Sequence, residues 1–115
     1  MLSLKNRLKK KKEFERVFKR GKGLKEDFLV LKLVKNNLPQ SRFGFIVGTK
    51  FSKIATLRNK LKRRLRELIR TKIEEIKTGY DIVLIAQPGL EERDFWELEE
   101  ITNKIFSRAK IIENV

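Results

Sequence analysis

Arg58, Asn59, Lys60, Lys62, Arg63, Arg66 and Arg70 recur at spacings that a helix converts into a surface. At about 100° per residue, Leu57, Leu61, Leu65, Leu68, Ile69, Ile73 and Ile76 gather on one arc. Asn59, Arg63, Arg66 and Arg70 form a stripe away from it, flanked by Lys60, Lys62 and Arg64. Solvated helix faces ordinarily mix signs, so that i,i+4 pairs attract. Lys50 to Lys72 instead hold ten Lys/Arg and a single acidic residue, Glu67. Such a stretch repels itself, so stability gives no reason for it. A polyanion does, because each cation set against a phosphate releases condensed counterions. Arg58 falls inside the apolar arc; it stands either in a loose first turn after a Thr56 cap or with its stem snorkelling outward.

Phe14 and Phe18 come from a second basic segment, and phenylalanines between Lys and Arg can stack unpaired bases while the cations hold the backbone. The same i,i+4 pair also suits ordinary core packing, and both readings stand. Phe95 and Trp96 lie among acidic residues and read as structural, as does Phe106 in the core. Catalysis finds little to work with. The chain has no Cys and no His, which removes thiolate, imidazole and zinc chemistry. Adjacent positions on a helix point about 100° apart, so the carboxylate groups Glu74/Glu75, Glu91/Glu92 and Glu97/Glu99/Glu100 are read as surface and cap residues that do not converge on a metal or a substrate atom by local geometry. Neither GxxxxGK[ST] nor GxGxxG occurs. No catalytic and no metal-binding residue is therefore assigned.

With 115 residues, 40% of them hydrophobic, the chain reads as one folded domain spanning 1–115. A formal net charge of +14 directs it toward nucleic acid. That charge sits in two places: residues 1–25 carry eleven Lys/Arg and two Glu, a net of +9, and residues 50–72 another +9. No apolar run reaches the roughly 18 residues of a membrane helix, and no apolar segment follows the basic N-terminus as in a secretion signal. A cytoplasmic protein without a membrane partner is expected.

The elements that would position these residues can be read from periodicity. About residues 1–10 form a mobile basic arm. Lys11 to Arg20 is a short amphipathic helix stopped by Gly21 and Gly23, with a short strand near Lys22 to Lys25. Phe28 to Lys35 alternates as a strand, and 36–41 supplies turn chemistry for a hairpin. The return strand, Arg42 to Gly48, puts Phe43, Phe45 and Val47 on one face and Gly44, Ile46 and Gly48 on the other, leaving backbone open to close approach. The basic helix runs to about Lys77. Asp81 to Ala86 is a continuous apolar run, read as a central strand covered on both sides. Asp94 and Glu97 have capping-box spacing ahead of a helix with Leu98, Ile101, Ile105, Ala109 and Ile112 in one stripe.

The stretch from Arg58 through Glu67 resembles the motif of the bacterial ribonuclease P protein component family: Arg-Asn-Arg, a spacer, Lys-Arg, two spacers, Arg-Glu. Arg7-Leu8-Lys9, then Glu13 to Phe18 and Gly21-Lys22, are similar to the family's opening, and Asp81 to Ala86 to its late strand. The resemblance implies an α+β single domain of order α-β-β-β-α-β-α with a four-stranded sheet and a left-handed βαβ crossover, a fold shared with one domain of a small-subunit ribosomal protein. It implies the protein subunit of an RNA-based enzyme that removes the 5′ leader from precursor tRNA. Its partners would be the ribonuclease P RNA and precursor tRNA, with no small-molecule substrate. Mg²⁺ would be held mainly by the RNA, none by the protein alone. Carried over by position, Arg58, Asn59, Lys60, Lys62, Arg63 and Arg66 would face the catalytic RNA, and Phe14 and Phe18 would be the aromatics of a leader-binding cleft; Arg70 is expected to extend the RNA-facing stripe, and Lys11 and Lys50 to line the cleft. Lys60 departs from the motif's second Arg and lacks the bidentate fork. The segment before the motif lacks the usual glycine and is one residue longer. The rivals are a ribosomal or RNA-chaperone type binding protein, and a carboxylate nuclease active without RNA.

Overall fold

The apolar run after Asp81 organises the molecule. Ile82, Val83 and Leu84 are wholly buried, so the strand that carries them needs neighbours on both edges and cover on both faces. The computed structural model describes residues 2–112 and supplies both. Its elements are α1 (Lys11–Arg20), β1 (Lys22–Glu26), β2 (Leu29–Lys35), β3 (Arg42–Ile46), α2 (Ala55–Lys72), β4 (Tyr80–Ala86) and α3 (Phe95–Arg108). Single 3₁₀ turns occupy Leu4–Asn6 and Leu90–Glu92. The sheet order is β1-β2-β4-β3, with β2 antiparallel to β1 and β4, and β3 parallel to β4. β3, α2 and β4 thus form the βαβ unit of a mixed α+β domain.

This order corrects the expected hairpin between β2 and β3. β4 is inserted between them, because a strand apolar on both faces belongs at the centre of the sheet. The 36–41 turn chemistry serves a wider connection: the Leu38 amide donates to Asn36 Oδ1 at 2.8 Å, and Asn37 takes a left-handed φ of 58°.

Strand alternation sorts side chains onto two layers. Leu29, Leu31, Phe43, Ile82 and Leu84 face Leu61, Leu65, Leu68 and Ile69 of α2 and Leu98, Ile101, Ile105 and Phe106 of α3. On the other side Val83, with the partly buried Val34, Ile46 and Ile85, meets Leu8 and, from α1, Val17 and Phe14. α3 begins as its spacing predicts: Asp94 Oδ1 accepts from the Glu97 amide at 2.8 Å, and the Asp94 amide donates to Glu97 Oε1 at 3.2 Å.

Three boundaries differ from expectation. α2 starts one residue before Thr56, with Ile54 at the cap position and Ser52 Oγ accepting from the Ile54 amide at 3.1 Å. It ends at Lys72, and Ile76 is held instead by a bridge to Ile112. The segment expected to be a mobile arm is docked: Leu2 and Leu8 are buried, Asn6 Nδ2 donates to the Ser41 carbonyl at 2.8 Å, and the Leu8 amide to the Phe43 carbonyl at 2.9 Å. Its scattered leucines carry no periodicity, so the docking of Leu2 into the main core and of Leu8 against β3 was not visible in the sequence.

Candidate nucleic-acid interface

A buried ion network sets α1 across the sheet. Asp81, at the start of β4, is fully buried, and the β3–β4 register places Arg42 opposite it. Arg42 grips its carboxylate with both arms of the fork, Nε to Oδ1 at 2.8 Å and Nη2 to Oδ2 at 2.7 Å. Asn36 Nδ2 adds a bond to Oδ1 at 2.9 Å, and Arg16 of α1 reaches Oδ2 at 3.4 Å and also donates to the Lys35 carbonyl. The remaining arm of Arg42 meets Glu13 Oε2 at 2.5 Å, while Glu13 Oε1 accepts from the Lys9 and Lys10 amides at the start of α1, each at 2.9 Å. Burial pushes the Glu13 carboxyl up, but those two amides and the Arg42 guanidinium outweigh it and hold it below its ordinary value. Hydrogen bonding to Asp81 in turn raises Arg42, which stays charged. Asp81 is the buried centre of the network, where leaving it without Arg42 costs about 3–5 kcal/mol, and the more exposed Glu13 and Arg16 tie α1 to that centre.

That position brings Phe14 onto the β3 backbone. A Cβ at Gly44 would lie 2.4 Å from Phe14 Cε1 and 2.6 Å from Cζ, so the ring occupies the space any other residue would need. Beside this contact a cavity of about 110 Å³ is lined by Arg7, Leu8, Phe14, Gly44, Phe45 and Arg66. The groove under α1 and the basic helix α2 therefore share one opening, joined through Arg66. One turn further along α1, Phe18 is 38% exposed, with Lys32 Nζ 5.3 Å from its ring centroid.

A cationic helix that opens into an aromatic groove suits single-stranded polyanions. The family model for Ribonuclease P matches residues 2–110 of the chain. The chain belongs to the ribonuclease P protein component family. Among its relatives, the ribonuclease P protein component of Thermotoga maritima is 41% identical over 111 residues, covering 93% of this chain and 92% of its own. That of Syntrophomonas wolfei is 37% identical over 109 residues, covering 95% and 91%. The RNase P protein of Staphylococcus aureus superposes with a TM-score of 0.87 at 27% identity, covering 94% of this chain and 98% of that one. The Thermotoga maritima protein in complex with 1-(4-fluorophenyl)-2-thiourea gives 0.82 at 40% identity, covering 89% and 98%. As a family member, the chain is the protein subunit of ribonuclease P and assists a catalytic RNA in removing the 5′ leader from precursor tRNA.

Within this ribonuclease P protein, the residues singled out from the sequence divide over α2. Asn59 and Arg63 lie exposed along the middle of the stripe. Lys62 and Arg66 are half-buried, and Arg66 borders the α1 groove. Lys60 turns the other way, into a crevice with Arg64, Leu90 and Leu98 at the start of α3. Arg58 is drawn off the stripe: Nη1 caps the preceding loop by donating to the Ser52 carbonyl at 2.9 Å, which accounts for its place inside the apolar arc. Arg70 is engaged by Glu67, Nη2 to Oε1 at 2.5 Å, and that bond holds the Glu67 carboxyl below its ordinary value. Leu57, expected on the core side, is 43% exposed.

Lys11 and Lys50 are both exposed, and neither borders the cavity that Phe14 shares with Arg66. Arg7, Gly44 and Phe45 do border it, and the sequence marked none of them as site residues; only the bare face of β3 hinted at Gly44. Phe106 is buried as expected. Trp96 is not structural: it is 74% exposed, with Phe95 edge-on at 5.8 Å between centroids.

Proposed function

We propose that the α2 stripe binds the ribonuclease P RNA and that the groove between α1 and β3 receives the single-stranded leader of precursor tRNA. The observation that carries this reading is the shared opening: Arg66 belongs at once to the basic stripe and to the cavity that Phe14 and Gly44 line. RNA bound along Asn59, Arg63 and Arg66 thus lies next to a strand passing Phe14 and Phe18. Arg7 and Lys32 supply cations for its phosphates, and the exposed Phe18 ring supplies a face on which a base stacks. Catalytic RNA and precursor repel one another, and the protein's +14 charge placed at their junction reduces that repulsion.

Mg²⁺ belongs with the RNA on this reading. Among the described residues no three His, Cys, Asp or Glu side chains gather where they could hold a metal ion. The carboxylates near the interface are already taken, Glu13 by Arg42 and Glu67 by Arg70. An RNA-bound protein of this family would act in the cytoplasm. No helix among the described residues is long and apolar enough to cross a membrane.

Replacing Arg63 and Arg66 together by Ala tests the stripe. Affinity for the RNA subunit should fall, and the slope of log K against log salt should flatten by about 0.7–0.9 for each phosphate that the variant no longer neutralises. Thermal stability should hardly change, since the removed charges lie among like charges. An unchanged slope would show that the RNA binds elsewhere.

A further inference from the structure

At the end of the sheet where β1 and β4 begin and β2 finishes, the molecule has a second cavity, of about 540 Å³. It lies mainly on the α3 side of the sheet, and it shares no lining residue with the α1 groove. Leu24, Leu33, Tyr80 and Ala109 form most of its apolar wall, all four only partly buried where they pack against the main core, and Val34 adds to it from the α1 face of β2. Around the mouth stand Arg20, Lys22, Lys35 and Lys110, all exposed, and no carboxylate among the described residues lines it. Arg108, also at the mouth, is fixed by bonds to the Lys25 carbonyl at 2.7 Å and to Glu26 Oε2 at 2.8 Å.

This combination is not what packing produces. Four like charges around an apolar hollow repel one another, and the hollow leaves an aromatic ring and two leucines short of cover. Clefts lined by one sign of charge concentrate the field at their mouth and attract the opposite ion. The volume lies in the range of roughly 300–1,000 Å³ that pockets for small organic ligands occupy. An apolar slot with an aromatic wall and a cationic rim has the complementarity of a base with phosphates beside it.

We propose that this cavity binds one unstacked nucleotide, with its base against Tyr80, Leu24 and Leu33 and its phosphates at Lys22, Lys35 and Lys110. Cations on several sides of the mouth suit a nucleotide within an RNA strand, which brings a phosphate in and another out, better than a free mononucleotide with one. The site adds an RNA contact on the side of the sheet away from the leader groove. It depends on neither the α2 stripe nor the cleavage reaction.

The test is a titration of the isotope-labelled full chain, followed by amide resonances, with hexauridylate, uridine monophosphate, inorganic phosphate and hexaglutamate at one salt concentration. Hexauridylate should shift Leu24, Leu33, Tyr80 and Ala109. Lys22→Glu with Lys110→Glu should weaken those shifts by about tenfold or more, since each reversed charge puts a repulsion where a phosphate was held. Tyr80→Leu should weaken them by about fivefold to a hundredfold, as removal of a stacking face does. In both variants the shifts around Phe14 and Arg66 should persist, which also reports an intact fold. Equal binding of uridine monophosphate would keep the site but assign it to free nucleotides. Shifts confined to α1 and α2, insensitivity to both variants, or the same response to phosphate or hexaglutamate would overturn the proposal.

Discussion

Substituting Gly44 by Ala perturbs the leader groove at its narrowest point, and the cost follows from the geometry there. The added methyl would stand 2.4 Å from Phe14 Cε1 and 3.2 Å from Leu8 Cδ1. Carbon atoms pack at about 3.5–4.0 Å, so the ring must retreat by more than about 1 Å. Little slack exists for this. Val17, one turn along α1, is wholly buried, and Glu13 and Arg16 tie the helix to Arg42 and Asp81. Overpacking of this kind costs about 1–3 kcal/mol. Phe14→Ala alone removes a partly buried ring and should cost about 3 kcal/mol, the low end for a phenylalanine truncation. In the double variant the new methyl enters space that the ring has left, so its cost should be near that of Phe14→Ala alone. The cycle should then show coupling of about 1–3 kcal/mol. Urea unfolding of the four proteins measures it. Additive costs would refute the contact between Phe14 and β3 and, with it, the groove as described. In the folded Gly44→Ala protein, precursor tRNA should bind more weakly while mature tRNA, which has no leader, binds nearly as before.

Phe18→Ala should leave stability within about 1 kcal/mol, since the ring is partly exposed and gives up one cation–π interaction with Lys32. It should cost roughly 1–3 kcal/mol of affinity for precursor tRNA and much less for mature tRNA; equal losses for both ligands would place the ring outside the leader's path. Glu13→Gln probes the network by pH. The Glu13 carboxyl is held below its ordinary value of 4.5 in the folded protein, so folding favours its ionised form. Its contribution is therefore complete above that value and disappears as pH falls through the lower folded one. The stability gap between the parent and Glu13→Gln should be constant near neutral pH and close in acid; a gap that persists at the lowest pH would show that the carboxylate's charge is not what matters.

Local rules made much of this legible. The Asp94/Glu97 spacing marked the start of α3, the glycines after Arg20 marked the end of α1, and the apolar run after Asp81 marked a strand covered on both faces. What escaped depended on pairing across the chain. Nothing near Asp81 announces a buried carboxylate, because its partner Arg42 arrives only through the parallel β3–β4 register. The hairpin expected at 36–41 followed from turn residues that equally serve a longer connection, and tertiary demand for a central β4 decided between them. The stripe on α2 was visible as a helical pattern, yet its division was not. Arg58 goes to the Ser52 carbonyl, Lys60 faces α3 and Arg66 borders the α1 groove, each according to neighbours distant in sequence. The docked N-terminal segment escaped for the same reason, since Leu2 and Leu8 find their partners on β3 and in the two cores.

The central claim is that this protein supplies positioning and charge while RNA supplies catalysis. Cleavage of a precursor tRNA should be measured with the protein alone, with a ribonuclease P RNA alone, and with both, over a series of Mg²⁺ concentrations. The protein alone should give no cleavage, and the complex should cleave at Mg²⁺ concentrations too low for the RNA by itself. Cleavage by the RNA-free protein, persisting after contaminating nucleases are removed, or a complex that needs as much Mg²⁺ as the bare RNA, would contradict the claim.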